Sequence, residues 1–167
     1  FTQCVFDATQ TGHSVYIPGT GHVLRTQFTG CWFSSSGRLT GGSPSASGFR
    51  VGLSGSLAAS RIVGSTFYNT SGNGLRASAG GHNTINVTGN TFESCGIGGA
   101  AGHRAAIYAN VPSGYIAPLI SSNTESSSGL YSIETSATTN KIRISDNMLL
   151  TATSYGVAPA VNHDNGF

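Results

Sequence analysis

Charge is what this sequence has least of. Only 8% of its 167 residues are Asp, Glu, Lys or Arg, about a third of ordinary usage. Lys141 is the single lysine, and a net charge of +2 without a basic cluster gives no footprint for nucleic acid. Ala/Leu/Glu/Lys heptads are missing, which excludes long helical bundles. No apolar run approaches the length of about 18 residues that a membrane-spanning helix needs. The cysteines at 4, 31 and 95 lack C-x-x-C spacing. The five histidines lack H-x-H or H-x-x-x-H spacing, so neither a metal nor another cofactor is expected. The chain opens at Phe1 in mid-pattern, with no initiator Met or signal sequence, and is read as a segment of a longer protein.

Hydroxyl groups and glycine stand where charge is scarce. Gly, Ser and Thr together supply 66 residues, against 36 from Leu, Ile, Val and Phe. Such a chain must hold itself together through backbone hydrogen bonds rather than ion pairs. Its order is a repeat. Phe1–Phe6, Phe28–Phe33, Ile62–Phe67, Val87–Phe92, Ile120–Glu125 and Ile144–Leu149 share the template apolar-x-small-[Asn/Cys/Ser]-x-apolar, broken only by Glu125. The central residues are Cys4, Cys31, Ser65, Asn90, Asn123 and Asn147, at spacings of 27, 34, 25, 33 and 24.

A second short strand follows each first one, centred on Tyr16, Arg50, Arg76, Tyr108, Glu134 and Ala158. The return from there to the next template is nearly constant, at 15, 15, 14, 15 and 13 residues. Length variation therefore sits in the outgoing connection, with insertions at 34–47 and 94–105. Period-2 alternation at this repeat length predicts a solenoid of β-strands, one domain over 1–167 with about six coils stacked roughly 4.8 Å apart. An antiparallel β-sandwich also gives regular short strands. It does not explain identical residue types recurring at the same phase.

Three internal columns are expected. Phe1, Phe28, Ile62, Val87, Ile120 and Ile144 form one. Phe6, Phe33, Phe67, Phe92 and Leu149, interrupted by Glu125, form another. Asn90, Asn123 and Asn147 form an asparagine ladder at a corner.

These repeated segments resemble the right-handed parallel β-helix of the pectate-lyase-like superfamily. Within it the chain is most similar to bacteriophage tailspike and tail-fibre proteins, whose coils are also Ser/Thr/Gly-rich, poor in charge and irregular in length. The resemblance implies a homotrimer in the virion, outside the host cell, associated with other virion proteins and recognising bacterial surface polysaccharide. It equally admits a depolymerase, hydrolase or lyase, on the same fold, or a structural virion or capsid decoration. The calcium site of pectate lyases needs clustered aspartates, whereas Asp7, Asp146 and Asp164 are far apart in the coil order.

Candidate site residues follow from the alternation. The outward file Tyr16, Arg50, Arg76, Tyr108 and Glu134 offers aromatic faces for sugar C–H surfaces and guanidinium forks for carboxylates, as glycan binding would need. It would serve equally as a subunit contact. A second outward file, Gln27, Arg61, Asn86, Leu119 and Arg143, is more mixed. The insertions are expected to rise beside the first file, with His103 and Arg104 at the tip of the second. Glu125 either ends its strand early or pairs with Glu93 as catalytic carboxylates for glycoside hydrolysis. Gly96-Ile-Gly98-Gly-Ala-Ala101 imitates a dinucleotide fingerprint but lacks the helix that motif requires. Cys4 and Cys31 share a column, as stacked thiols or as a disulfide.

Overall fold

The computed structural model of the chain describes residues 1–38, 41–52, 56–77, 84–98, 103–109, 119–135, 143–151, 155–156 and 162–164. All its regular elements there are strands, and they form three six-stranded sheets and one two-stranded sheet. Within a repeat the chain runs through the first, second and third sheets in turn, then returns to the first. The first sheet contains Gln27–Thr29, Ser60–Val63, Ile85–Thr88, Leu119–Ser121, Arg143–Ser145 and Asn162–Asp164. The second contains Val5–Phe6, Trp32–Ser34, Thr66–Thr70, Thr91–Cys95, Thr124–Ser126 and Met148–Leu149. The third contains Val15–Ile17, Phe49–Val51, Leu75–Ala77, Ala105–Ala109, Tyr131–Thr135 and Tyr155–Gly156. Each strand pairs in parallel with its counterpart in the neighbouring repeat. This stacking is consistent with a parallel β-helix, and it excludes antiparallel pairing between successive repeats.

The internal columns appear as expected from the second repeat on; Phe1 continues the first column by stacking on Phe28 at 4.7 Å, but as the end of the stack it is 64% exposed rather than internal. Phe28, Ile62, Val87, Ile120 and Ile144 are in register and buried. The rings of Phe6, Phe33, Phe67 and Phe92 stack face to face, with centroids 5.0, 4.7 and 4.6 Å apart. That spacing is the strand separation itself, so every ring covers its neighbour without strain in the ladder. Parallel register forces like residues into contact, which is why phenylalanine repeats at this phase.

The corner between the first and second sheets is built by two devices. Gln3, Gly30, Gly64, Gly89, Ser122 and Asp146 all have φ between 52° and 66°, and each directly precedes the central residue of its template. The left-handed residue turns the chain. The central side chain then ties one repeat to another. Asn90 Oδ1 accepts the Ser65 N–H at 2.9 Å, Asn123 Oδ1 accepts the Asn90 N–H at 3.0 Å, and Asn147 Oδ1 accepts the Asn123 N–H at 3.0 Å. The ladder starts one repeat earlier than the asparagines, because Ser65 Oγ accepts the Cys31 N–H at 3.0 Å. Cys4, Cys31 and Cys95 are free thiols. Cys95 is fully enclosed, and burial pushes its thiol up to about 12.

One register expectation is corrected. Glu134 pairs with Gly156, not with Ala158, and Ala158 lies outside the described residues. The strand Asn162–Asp164 then extends the first sheet.

Candidate functional site

Parallel register places Tyr16, Arg50, Arg76, Tyr108 and Glu134 in one file on the outer face of the third sheet. Their neighbours inside are Ile17, Val51, Ala77, Ala109 and Ile133, all buried. The core thus fixes the direction of every side chain in the file. Tyr16 is exposed, Arg50, Arg76 and Tyr108 are half-buried, and Glu134 is buried. The file is graded from open at one end to enclosed at the other.

Cations and aromatic rings interleave along it. Arg76 Cζ lies 4.1 Å from the centroid of Tyr108, and Arg50 Cζ lies 5.8 Å from that of Tyr16. Both are cation–π distances. Arg76 Nη1 donates to Asn73 Oδ1 at 3.3 Å. Arg104, from the second insertion, sits 5.2 Å over the Tyr131 ring and 4.0 Å from Glu134 Oε1. The face therefore carries three guanidinium groups against one carboxylate. Arg50 Nε, Arg104 Nε and Glu134 Oε2 are buried and make no hydrogen bond.

Two histidines flank the guanidinium groups. His13 Nδ1 accepts the Ser47 N–H at 2.9 Å, and Nε2 lies 3.0 Å from Arg50 Nη1. Burial first, then the Arg50 charge, lowers its pKa to about 4. Burial, with Arg76 and Arg50, lowers His103 to about 4 as well. Both imidazoles are neutral at pH 7, so the guanidinium charges dominate the face. Burial raises the Glu134 pKa, partly opposed by Arg104 and Arg76.

The connections carrying the insertions meet through Ser71 and Gly72, which lie in the connection between them, and a Cβ on Gly98 would come 2.6 Å from Pro44 O. The Ser71 N–H donates to Ser36 O, the Gly98 N–H to Ser71 O and the Gly72 N–H to Ala46 O. Beside them lies a cavity of about 440 Å³ lined by Gly96, Ile97, Arg104, Ser128, Gly129 and Leu130. Gly129 approaches so closely that a Cβ there would come 2.1 Å from Gly96 O.

Glu93 and Glu125 are not brought together. Glu125 pairs with Phe92 and Leu149 inside the second sheet, and it is 1% exposed. Glu93, one position after Phe92, faces outward and is exposed. The strand does not end early, since it continues through Thr124–Ser126. Four donors satisfy the Glu125 carboxylate. The Ser128 N–H and Thr151 Oγ1 reach Oε1 at 3.0 and 2.6 Å. Ser132 Oγ and the Thr151 N–H reach Oε2 at 2.5 and 3.1 Å. Burial alone would raise its pKa, but Ser132, Thr151 and Ser128 outweigh burial and hold it below the usual glutamate value. A carboxylate so enclosed anchors three segments of chain; it has no open side for a substrate.

The outer face of the second sheet sets Glu93 beside two residues absent from the candidates above, Trp32 and Tyr68. Trp32, Tyr68 and Glu93 precede or follow inward phenylalanines and so must point out. They are the single tryptophan, an exposed tyrosine and an exposed carboxylate. Among the described residues no group of His, Cys, Asp and Glu could hold a metal ion. No family model, curated protein or solved structure matches the chain.

Proposed function

We propose that the chain is a right-handed parallel β-helix of about six coils, a segment of a phage tailspike or tail-fibre protein that recognises an acidic bacterial surface polysaccharide. In this reading it acts as a homotrimer in the virion, with the third sheet's outer face turned away from the subunit contacts. The observation that carries the reading is the interleaved file of Tyr16, Arg50, Arg76 and Tyr108 on a rigid sheet, with Arg104 beside it. Tyrosine faces suit the C–H surfaces of sugar rings. Guanidinium groups hold carboxylates in a bidentate fork and need little reorganisation when they are already stacked. Neighbouring repeats stand about 4.8 Å apart, close to the rise of a sugar unit, so a chain lying along the file meets a cation or a ring at each step.

Glu93 and Glu125 lie on the second sheet and on opposite faces of it, so they do not form a carboxylate pair beside this file, which favours binding over glycoside hydrolysis. The test is direct binding of an acidic capsular polysaccharide by the assembled protein. Arg76→Ala with Tyr108→Ala is expected to weaken binding by about 1–3 kcal/mol with little change in melting temperature. A large loss of stability with unchanged binding would make the file a subunit contact. Loss of neither would remove the reading.

A further inference from the structure

We propose that the outer face of the second sheet is a separate binding site for a neutral saccharide, built on Trp32, Tyr68 and Glu93. It lies on a different sheet from the arginine file and does not depend on the reading of that file.

The register assembles it. Ser34 pairs with Tyr68, and Tyr68 pairs with Glu93. Trp32 is the diagonal neighbour of Tyr68, and their rings lie 5.7 Å apart at an interplanar angle of 38°. Two large rings and a carboxylate thus occupy three successive repeats on one face. They are open to solvent: Trp32 is 40% exposed and Tyr68 37%. Leaving two such rings in water forgoes burial worth roughly 25 cal/mol per Å².

The indole is also held in place. Trp32 Nε1 donates to Ser34 Oγ at 2.6 Å, and Ser34 Oγ donates to Asp7 Oδ1 at 2.5 Å. Ser34 is itself buried beneath this relay. The polar edge of the ring is therefore satisfied, while its flat face is presented outward. An aromatic platform locked by hydrogen bonds loses little rotamer entropy when a ligand stacks on it.

Charge and hydroxyls define what fits. The described outward positions of this face are Val5, Asp7, Ser34, Thr66, Thr91, Thr124 and Ser126 with Trp32, Tyr68, Glu93, Met148 and Leu150, and none is a cation. Asp7 and Glu93 would repel an acidic glycan, whereas a carboxylate beside a ring accepts the hydroxyls of a sugar stacked on it. Tyr68 supplies the stacking face and Glu93, one strand away, the acceptor. The Thr66 and Thr91 hydroxyls border the same strip. The ligand class is an uncharged, hydroxyl-rich pyranose chain.

Trp32 is the sole tryptophan, so its emission reports this face alone. The experiment titrates the intact assembly with cellohexaose, maltohexaose and isomaltohexaose and follows tryptophan fluorescence. A saturable change with at least one of them is expected, weakened about tenfold by Tyr68→Ala and by Glu93→Gln, with the unfolding midpoint unchanged. No saturable change with any of the three overturns the proposal, as does a change that survives both substitutions. Failure of acrylamide to quench Trp32 in the assembly also overturns it and makes the face a subunit interface. The probes carry no acidic group, so their failure leaves the arginine-file reading standing, and failure of acidic polysaccharide to bind leaves this one standing.

Discussion

Glu125 shows how one residue can depart from a repeat and still serve it. Its column is otherwise phenylalanine or leucine, yet its carboxylate collects donors from Ser128, Ser132 and Thr151. Hydrogen bonds to a buried charge are worth more than neutral ones, and removing the acceptor leaves the donors unpaired. Glu125→Gln is expected to cost about 2 kcal/mol at neutral pH, measured by urea unfolding. Because its folded pKa is lowered, the ionised form contributes stability above the unfolded pKa and loses it as pH falls through the folded one. The cost of the substitution should therefore shrink in acid. A second residue-scale test concerns the corner. Gly89 has φ 66° and open space where a Cβ would go. Gly89→Ala should then cost about 1 kcal/mol through backbone conformation alone, read from the same unfolding curves. Ser122 and Asp146 carry that strain already at the equivalent corners.

At the scale of the element, the asparagine ladder is the tie between repeats. Asn123 accepts from both the N–H and the side-chain amide of Asn90 and donates to Val87 O and Asn147 Oδ1. Asn123→Ala strands several of these groups inside the protein and is expected to cost about 3 kcal/mol. Asn123→Ser should recover part of the loss, since Ser65 performs the equivalent backbone bond two repeats away; thermal unfolding of the two variants checks the order. The columns were legible in the sequence because parallel stacking repeats residue type at fixed phase. The last third-sheet strand was not. Val157-Ala158-Pro159 matches the apolar-x-apolar template, but that template is met by chance in a chain of small residues. The paired strand is Tyr155–Gly156. The partners of Glu125 were equally hidden, because they come from 3, 7 and 26 residues away. Trp32 and Tyr68 flank inward phenylalanines and so are outward by alternation, but only the register makes them a pair.

For the whole molecule, scarcity of charge makes the pH response simple. The chain has six carboxylates and five histidines, and shifts at a few of them dominate. His13 and His103 fall from 6.5 to about 4 in the folded state. A lowered histidine pKa means that the unfolded chain binds protons first. The stability these groups contribute is complete above pH 6.5 and is lost as pH falls to about 4. Both rings are partly exposed, so solvent screening leaves about 1 kcal/mol for each. Glu125 adds a further loss that begins near its unfolded value of 4.5 and continues as pH falls through its lower folded one. Glu134 acts the other way: its raised pKa means that protonation favours the fold, so its contribution is present below its unfolded pKa and lost as pH rises through the folded one. The losses outnumber the gain, and unfolding free energy should drop between pH 7 and pH 4. His13→Asn with His103→Asn should flatten that drop while leaving the fall at lower pH in place. If an acidic ligand occupies the arginine file, it offsets the Arg50 and Arg76 charges that lower both histidines. Burial still holds both histidines low, but their pKa values then rise from about 4, and binding takes up protons as pH falls toward that value. Calorimetric titration in buffers of differing ionisation heat reads that uptake; an unchanged proton count would show that the ligand does not sit beside His13 and His103.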